Sequence, residues 1–432
     1  MEPFGCARDR RSRPFPRSFV SPPVLFARLR CALSRPAPVP LPRTSAGLLT
    51  RAMADTERED ADDLDALRLR IDEIDERIVA LLSERARVVM DIGAHKRRTA
   101  RPSYAPDREA ALLDRIRRIN PGPLSDAALE AIFREIMSCS LVLERPPRVG
   151  FVGPVASYTH AAARRHFGGQ VRYEDVRAPA AVGQEIAAGN VDLGVLPLDA
   201  AIPEGPRDPA ALLASLPEGV YVCATMAAEV PDALLAGCEP AEVRTILGTA
   251  YALDRVRTWL ATQFPGVTTR VVASAADAVA EARSILVREP GAGAAALAPL
   301  MAAPLLGVPP VLERTGDGPS PPLAFAILGP RPSVPGPDDR LLWANRAAAD
   351  VALGDVLAAF AEHGRRVTDV LRSPPTGSER AIVVETTALP TDAPVPPSAV
   401  GGLRFVGRYP APRRPRASSA TRRDRLAPGD RT

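Results

Sequence analysis

LLSERARVVMDIGAHK, residues 81–96, belongs to a longer segment, 62–98, that contains no proline and a single glycine, Gly93. Its apolar residues recur at alternating steps of four and three, which predicts an amphipathic helix. Such a helix is about 55 Å long, more than the width of a small domain. Its apolar seam must therefore be buried against a partner, most simply a second copy of the same helix. The seam consists of Leu64, Arg68, Ile71, Asp75, Ile78, Leu82, Arg85, Val89, Ile92 and Lys96.

Three cations, Arg68, Arg85 and Lys96, occupy seam positions where the helical pattern predicts burial. One such residue would most simply lay its stem along the seam and extend its charged head into water. Three of them favour another interpretation, because buried charges require partners. We expect a helical bundle that encloses a ligand with several negative charges.

Two more helices are predicted downstream, over residues 107–120 and 125–144. Ser125 is a suitable N-cap for the second of them. Ser140 and Glu144 are four residues apart on that helix and are therefore neighbours on its surface. The sequence thus predicts a three-helix unit with cations, carboxyl groups and one hydroxyl facing inward.

Residues 64–145 resemble the all-helical chorismate mutase family, in which two three-helix chains form an intertwined dimer. The resemblance is carried by residues 81–85, Gly93–Lys96, Arg101–Pro102 and Asp107–Glu109. It implies a domain over residues 60–146, a homodimer, and chorismate and prephenate as the small molecules bound.

The resemblance also implies roles for individual residues. Arg68 would reach into the site of the partner subunit, Arg85 would hold a substrate carboxylate, and Lys96 would contact the ether oxygen and a carboxylate. Glu109 would bind the ring hydroxyl, and Ser140 would bind a carboxylate.

Arg108 matches the arginine that stands beside this acid in the family. Two other positions differ from some family members. Ala105 stands where an aspartate can assist the hydroxyl contact, and Glu144 stands where a glutamine can donate to the ether oxygen. A glutamate donates only when protonated, so this role requires burial to raise the pKa of Glu144.

Strands and helices alternate from residue 148 onward, beginning with RVGFV at 148–152 and continuing with VDLGVLP at 191–197 and VRTILG at 243–248. This alternation predicts an α/β fold with two lobes and a cleft between them. The order resembles prephenate dehydratase over residues 148–329, which implies a two-lobed, periplasmic-binding-like domain.

Four polar residues match dehydratase motifs and are expected to bind substrate: Ser157, Thr159, Asp199 and Thr249. The Thr-Arg-Phe motif, however, reads Leu-Ala-Phe at 323–325, and the Glu-Asn-Ser motif reads Asp-Ala-Ala at 199–201. In the family, the threonine is the acid for the departing hydroxyl and the arginine binds a carboxylate. Because leucine and alanine can do neither, we expect the second site to be impaired.

Residues 338–410 resemble the α+β ACT regulatory domain, which implies phenylalanine as an effector. Asp350–Leu353 replaces a Pro-Gly-Ala-Leu type turn, and Leu371–Pro374 replaces a Glu-Ser-Arg-Pro type motif. Because Val351 lacks the backbone freedom of glycine, loss of amino-acid sensing is expected here as well.

The two ends of the chain are rich in arginine and proline and are predicted to be disordered, over residues 1–52 and 411–432. They carry charges of +8 and +5, so residues 53–410 carry −9 although the whole chain is at +4. Nothing in this acidic interior suggests a nucleic-acid surface. Met53 is a candidate for the true start.

Five cysteines without a CxxC pair and four scattered histidines do not predict a metal site, and no cofactor is expected. No apolar run approaches the roughly 18 residues of a membrane helix, so a cytoplasmic protein is expected.

Four functions remain open. The first is a working mutase joined to an impaired dehydratase, and the second is a fully bifunctional enzyme that makes phenylpyruvate. In the third, the regions after the mutase form only a binding or regulatory module. In the fourth, prephenate is bound but has another fate, such as decarboxylation without aromatisation. Leu323 and Ala324 favour the first over the second.

Overall fold

The structure, a computed structural model, describes residues 46–99, 104–316, 318, 320–335, 339–348, 352–388 and 402–411. The leader before residue 46, Arg101 and Pro102, residues 350–351 and the tail after residue 411 lie outside the described residues. The chain divides into two compact units, Met1–Arg77 and Ile78–Thr432. In the first unit, the described part is the amino-terminal portion of helix α1 (Ala46–Arg98).

Helix α1 begins before the predicted start at residue 62 and includes residues 46–52, which the sequence predicts to be disordered. The composition of the leader is misleading here, because no proline stands between Ala46 and Arg98 to interrupt the helix. The predicted helix end, at about Arg98, is confirmed.

Helices α2 (Pro106–Ile119) and α3 (Asp126–Glu144) complete the helical region. Pro106 occupies the first turn of α2, where its missing N–H costs no hydrogen bond. The N-cap predicted at Ser125 is confirmed, since its hydroxyl accepts a hydrogen bond from Ala128 N at 3.2 Å.

The predicted two-lobed α/β region follows. In the first lobe, β1 runs parallel to β2 and β3, while β10 lies antiparallel between β3 and β4. All residues of β3 are buried, as expected for a sheet covered on both faces. The elements are β1 (Arg148–Val152), α4 (Tyr158–Phe167), β2 (Arg172–Val176), α5 (Pro179–Ala187), β3 (Leu193–Pro197), α6 (Pro209–Ala214), β4 (Tyr221–Ala228) and, after the second lobe, β10 (Leu323–Gly329).

The second lobe is a five-stranded sheet in the order β7-β6-β8-β5-β9. The helix predicted after Ser274 is confirmed as α9 (Ala275–Arg288). The Ser274 hydroxyl caps it by accepting a hydrogen bond from Asp277 N at 3.1 Å. The elements are β5 (Asp232–Ala236), β6 (Thr245–Gly248), α7 (Ala250–Arg255), α8 (Arg257–Gln263), β7 (Thr268–Val271), α9 (Ala275–Arg288), β8 (Ala294–Pro299), α10 (Ala302–Leu306) and β9 (Pro310–Leu312).

In the C-terminal region, the described residues 339–348, 352–388 and 402–411 form no separate sheet. Its strands extend the sheet of the first lobe, in the order β12-β13-β11-β14-β4-β10-β3-β1-β2. The junction is a parallel pairing of β14 with β4, where Gly407 faces Val222. The elements are β11 (Asp339–Ala348), α11 (Leu353–Glu362), β12 (Val367–Arg372), β13 (Glu379–Thr387) and β14 (Arg404–Pro410).

Candidate active site

The C-terminal ends of α1 and α3 meet at an ion pair. Lys96 Nζ lies 2.8 Å from Glu144 Oε2, and the two side chains are only 19% and 11% exposed. A Cβ at Gly93 would lie 3.0 Å from Glu144 Cα, so this close approach of the helices requires a very small residue. The Glu144 carboxyl thus contacts the cation that the resemblance assigns to the ether oxygen.

A second contact joins the same two helices about three turns earlier on α1. Arg85 Nη1 donates to Ser140 Oγ at 2.5 Å, and Ser140 Oγ donates to Ile136 O at 2.7 Å. Burial, together with the charge of Arg108 on α2, lowers the pKa of Arg85 from its usual value. A guanidinium titrates so high that Arg85 remains a cation at neutral pH.

Glu109 on α2 is the most perturbed carboxyl group of this region. Burial raises its pKa to about 7, against the opposing charges of Arg134 and Lys96. Its Oε2 lies 3.8 Å from His166 Nε2, and the same imidazole nitrogen lies 2.8 Å from the hydroxyl of Tyr104. Near neutral pH, Glu109 therefore exchanges between a neutral acid and a carboxylate.

In the α/β region, three of the four predicted binding residues form side-chain hydrogen bonds to the backbone. Ser157 accepts from His160 N at 3.1 Å and donates to Val152 O at 3.0 Å, and Thr249 caps α7. Asp199 accepts from Ala201 N within a turn. Thr159 differs, because its buried hydroxyl has no hydrogen-bond partner among the described residues.

A buried polar cluster joins α4 of the first lobe to the second lobe. The hydroxyl of Tyr158 donates to Asp232 Oδ1 at 2.8 Å, and Arg255 also donates to this carboxylate. Glu204 Oε1 accepts from Tyr158 N at 3.0 Å. Burial raises the pKa of Glu204 to about 7 and that of Asp232 to about 6.

Two family models match the chain in succession. The model of Chorismate mutase type II matches residues 67–145, and that of Prephenate dehydratase matches residues 149–331. The bifunctional chorismate mutase/prephenate dehydratase of Pseudomonas aeruginosa is 34% identical over 323 residues, covering 73% of this chain and 86% of that protein. This chain belongs to the bifunctional chorismate mutase/prephenate dehydratase family. The enzyme of the same name from Stutzerimonas stutzeri is 33% identical with the same coverage.

A solved structure agrees with the two-lobed fold of this chain. The prephenate dehydratase from Arthrobacter aurescens, determined in complex with L-Phe, covers 61% of this chain and 89% of its own, with a TM-score of 0.50. At 19% sequence identity, this similarity concerns the fold alone.

The structure links the predicted residues of the mutase domain that lie in the second unit. Arg85 contacts Ser140, and Lys96 contacts Glu144. Arg108 lies near enough to Arg85 for the two like charges to interact, and Lys96 lies near enough to attract the opposite charge of Glu109. Arg68 belongs to the first unit, where its exposed guanidinium pairs with Asp65 at 2.9 Å.

Several polar residues near these sites were not predicted from the sequence. In the mutase domain they are Tyr104 and Arg134, with His166 contributed by the dehydratase domain. In the dehydratase domain, Asp232 did carry a signal, because it is the one charged residue of the apolar strand DALLA. His166 carried none, since its importance depends on how two domains pack.

Two general features of the mutase/dehydratase chain complete the description. Within the described ranges, no group of three or more His, Cys, Asp or Glu side chains is arranged to hold a metal ion. None of the helices in the described part of the chain combines the length and apolar character that membrane spanning requires.

The raised pKa of Glu109 predicts a pH-dependent stability effect. A carboxyl group whose pKa is higher in the folded state contributes most below its ordinary pKa of about 4.3, and this contribution is lost as pH rises through 7. Glu109→Gln should therefore raise the free energy of unfolding by about 2 kcal/mol more at pH 8 than at pH 5. Urea unfolding followed by circular dichroism at the two pH values measures this difference, and Glu218→Gln, at an exposed residue, is the control. Equal effects of Glu109→Gln at both pH values would contradict the assignment.

Proposed function

We propose that the mutase domain converts chorismate to prephenate between α1, α2 and α3, with Arg85 and Lys96 as its principal cations. The observation that carries this proposal is the pair of contacts Arg85–Ser140 and Lys96–Glu144, which hold two half-buried cations on one face of α1. Lys96 also lines a cavity of about 530 Å³, together with Tyr104 and Ala105.

The reaction suits these residue types. The rearrangement breaks one C–O bond and forms one C–C bond within a single molecule, so it requires no nucleophile from the protein. Catalysis then consists of holding the reactive chair-like conformer and directing fixed donors at the ether oxygen, where negative charge grows. Arg85 and Ser140 bind a carboxylate of the substrate, and Lys96 faces the ether oxygen. Glu109 accepts a hydrogen bond from the ring hydroxyl.

Product identification after incubation of the purified full-length chain with chorismate tests this function. Prephenate should accumulate. Chorismate that remains unconverted would reject the proposal, and a decarboxylated product would identify a different fate for prephenate in the second domain.

We further propose that two chains form the mutase site together. Along α1, large apolar residues are exposed, among them Ile78 at 47% and Leu82 at 40%. They follow the seam spacing that packs one helix against another, and a contiguous apolar stripe of this length is not left in water. A second copy would cover it and would bring its own Arg68 to the substrate.

The double variant Ile78→Glu/Leu82→Glu should therefore halve the molar mass measured by light scattering. It should also lower mutase activity more than about tenfold, because Arg68 of the second copy no longer reaches the site. Val287→Glu, at an apolar residue of α9 that is 81% exposed, is the matched control and should leave the mass unchanged. A double variant with the mass and activity of the wild type would contradict the dimer.

We propose that the dehydratase domain binds prephenate but forms phenylpyruvate slowly. Leu323 is 2% exposed among apolar side chains, and the exposed Ala324 carries no charge. The bifunctional alternative is supported by a different observation: Glu204, Tyr158 and the unpartnered Thr159 hydroxyl place proton donors along α4 and the adjoining loop. The rate of phenylpyruvate formation from prephenate distinguishes the impaired dehydratase from the fully bifunctional enzyme.

We propose an ACT-like regulatory role for the C-terminal region, with phenylalanine as its ligand and the cytoplasm as the compartment. Supporting observations are the βαββ order of β11, α11, β12 and β13 and the buried contact of Trp343 with Phe360. Titration of phenylalanine into the full chain, followed by calorimetry, tests the ligand.

A further inference from the structure

The C-terminal end of helix α4, in the dehydratase domain, reaches the mutase site. His166 is the penultimate residue of this helix, and its Nε2 lies 2.8 Å from the Tyr104 hydroxyl and 3.8 Å from Glu109 Oε2. Tyr104 also packs against Phe167, with ring centroids 5.2 Å apart. A residue of the second domain therefore contacts the carboxyl group assigned to the substrate hydroxyl.

Specific contacts fix this end of α4 against α3. Gly169 N donates to both carboxylate oxygens of Glu135 at 3.1 Å, and Gln170 N donates to Ser138 Oγ at 3.1 Å. Gly168 has φ +78, and a Cβ there would lie 2.5 Å from Ser138 Cβ. The chain reversal after α4 is thus built to dock on α3, which holds His166 in place.

The imidazole acts as a neutral group. Burial, together with the charge of Arg134, lowers the pKa of His166 to about 3. The neutral imidazole hydrogen-bonds the Tyr104 hydroxyl through Nε2, and the same nitrogen lies 3.8 Å from the Glu109 carboxyl, so it places a polar but uncharged group beside that acid. The charges that face Glu109 come from Lys96 on α1 and Arg134 on α3, while Asp107 and Cys223 act on Tyr104.

The residue that carries this contact lies just before α2. Tyr104 has a hydroxyl held by His166, and the charge of Glu109, on the first turn of α2, acts on that hydroxyl. The dehydratase domain thus fixes a polar group beside Glu109.

We propose that His166 and Tyr104 are positioning residues of the mutase reaction, through which the dehydratase domain orients Glu109 toward the substrate hydroxyl. The proposal rests on the proposed role of Glu109 in the mutase site. It makes the mutase dependent on the second domain whether or not that domain has its own activity.

The experiment measures mutase kcat, KM and the pH profile of kcat/KM from pH 5.5 to 9 in the full chain. The Glu109 carboxylate accepts a hydrogen bond from the substrate hydroxyl only in its ionised form. The kcat/KM of the wild type should therefore rise as the pH increases through 7. His166→Leu should lower kcat about tenfold, leave KM within about twofold, and move the rising limb to higher pH as the site loses a polar neighbour. Tyr104→Phe should shift the limb in the same direction.

Two controls separate positioning from general damage. His166→Gln keeps a polar end and should retain the profile of the wild type. Gln170→Ala, at an exposed side chain of the same chain reversal, should not move the limb. The proposal is overturned if His166→Leu and Tyr104→Phe both keep the wild-type kcat and limb, or if Gln170→Ala moves the limb as far as His166→Leu does.

If His166→Leu does not fold, Tyr104→Phe decides the question by itself. Failure of the mutase assignment gives a different result, because Lys96→Ala would then keep full activity whatever the His166 variants do.

Discussion

Arg85→Ala and Lys96→Ala are each expected to lower the kcat/KM of the mutase by roughly 30- to 1,000-fold. Each substitution removes a charged donor from a partly buried site, which costs about 2–4 kcal/mol of transition-state stabilisation. Arg85→Ala should raise KM more, because a carboxylate contact is present in the ground state as well. Lys96→Ala should lower kcat more, because charge develops on the ether oxygen only as the bond breaks.

Arg87→Ala is the matched control, since Arg87 is an exposed cation two residues along α1 from Arg85. Its activity should equal that of the wild type in the same spectrophotometric assay of chorismate consumption. Full activity in either the Arg85 or the Lys96 variant rejects the proposed site.

Glu144→Gln provides a test in the opposite direction. In the free protein the Glu144 carboxylate occupies the Lys96 ammonium at 2.8 Å. A glutamine amide would release this cation to the substrate and would itself donate to the ether oxygen. Activity at pH 8 should therefore equal or exceed that of the wild type, and a loss greater than about tenfold would exclude this role for Glu144.

Phenylpyruvate is expected to form from prephenate roughly 100- to 10,000-fold more slowly than in a dehydratase with an intact Thr-Arg-Phe motif. Loss of hydroxide at neutral pH requires a proton donor, and the remaining carboxylate must be held by a cation. Leu323 lies within an apolar cluster with Phe325, and the backbone carbonyl of Ala324 accepts from Leu198 N at 2.9 Å. Neither side chain can take the missing role.

Absorbance of phenylpyruvate in alkali measures this rate. Leu323→Thr/Ala324→Arg should restore little activity, because Ala200 and Ala201 remain unrepaired. Phenylpyruvate formed at a rate comparable to the mutase step, and abolished by Thr159→Val or Glu204→Gln, would establish the fully bifunctional enzyme instead. Ser157 is the weaker candidate for a donor, since both hydrogen bonds of its hydroxyl go to the backbone.

Local signals explain what could be predicted of the fold. Helix α1, the N-caps Ser125 and Ser274, and the strand 148–152 depend on residues close together in sequence, and each is confirmed, whereas burial of the α1 seam stays a prediction. The joining of the C-terminal strands to the first lobe was not predicted. It depends on Gly407 meeting Val222, 185 positions apart, and no periodicity records such a pairing.

The same distinction applies to the site. Arg85, Lys96, Ser140 and Glu144 share helical spacing, so their convergence follows from one regular geometry. The role of Glu144 stays a prediction, and the structure adds only that its carboxyl lies 2.8 Å from Lys96 Nζ. His166 and Asp232 gain their importance from neighbours on other elements, which the sequence does not place.

The position of β14 has a consequence for the order in which the sheet is completed. β14 follows β4 and β11 in the chain, yet it lies between them in the nine-stranded sheet. Before β14 is in place, β4 and β11 each present an open edge, and open edges recruit other chains. A chain truncated before residue 404 should therefore aggregate rather than behave as an unregulated enzyme.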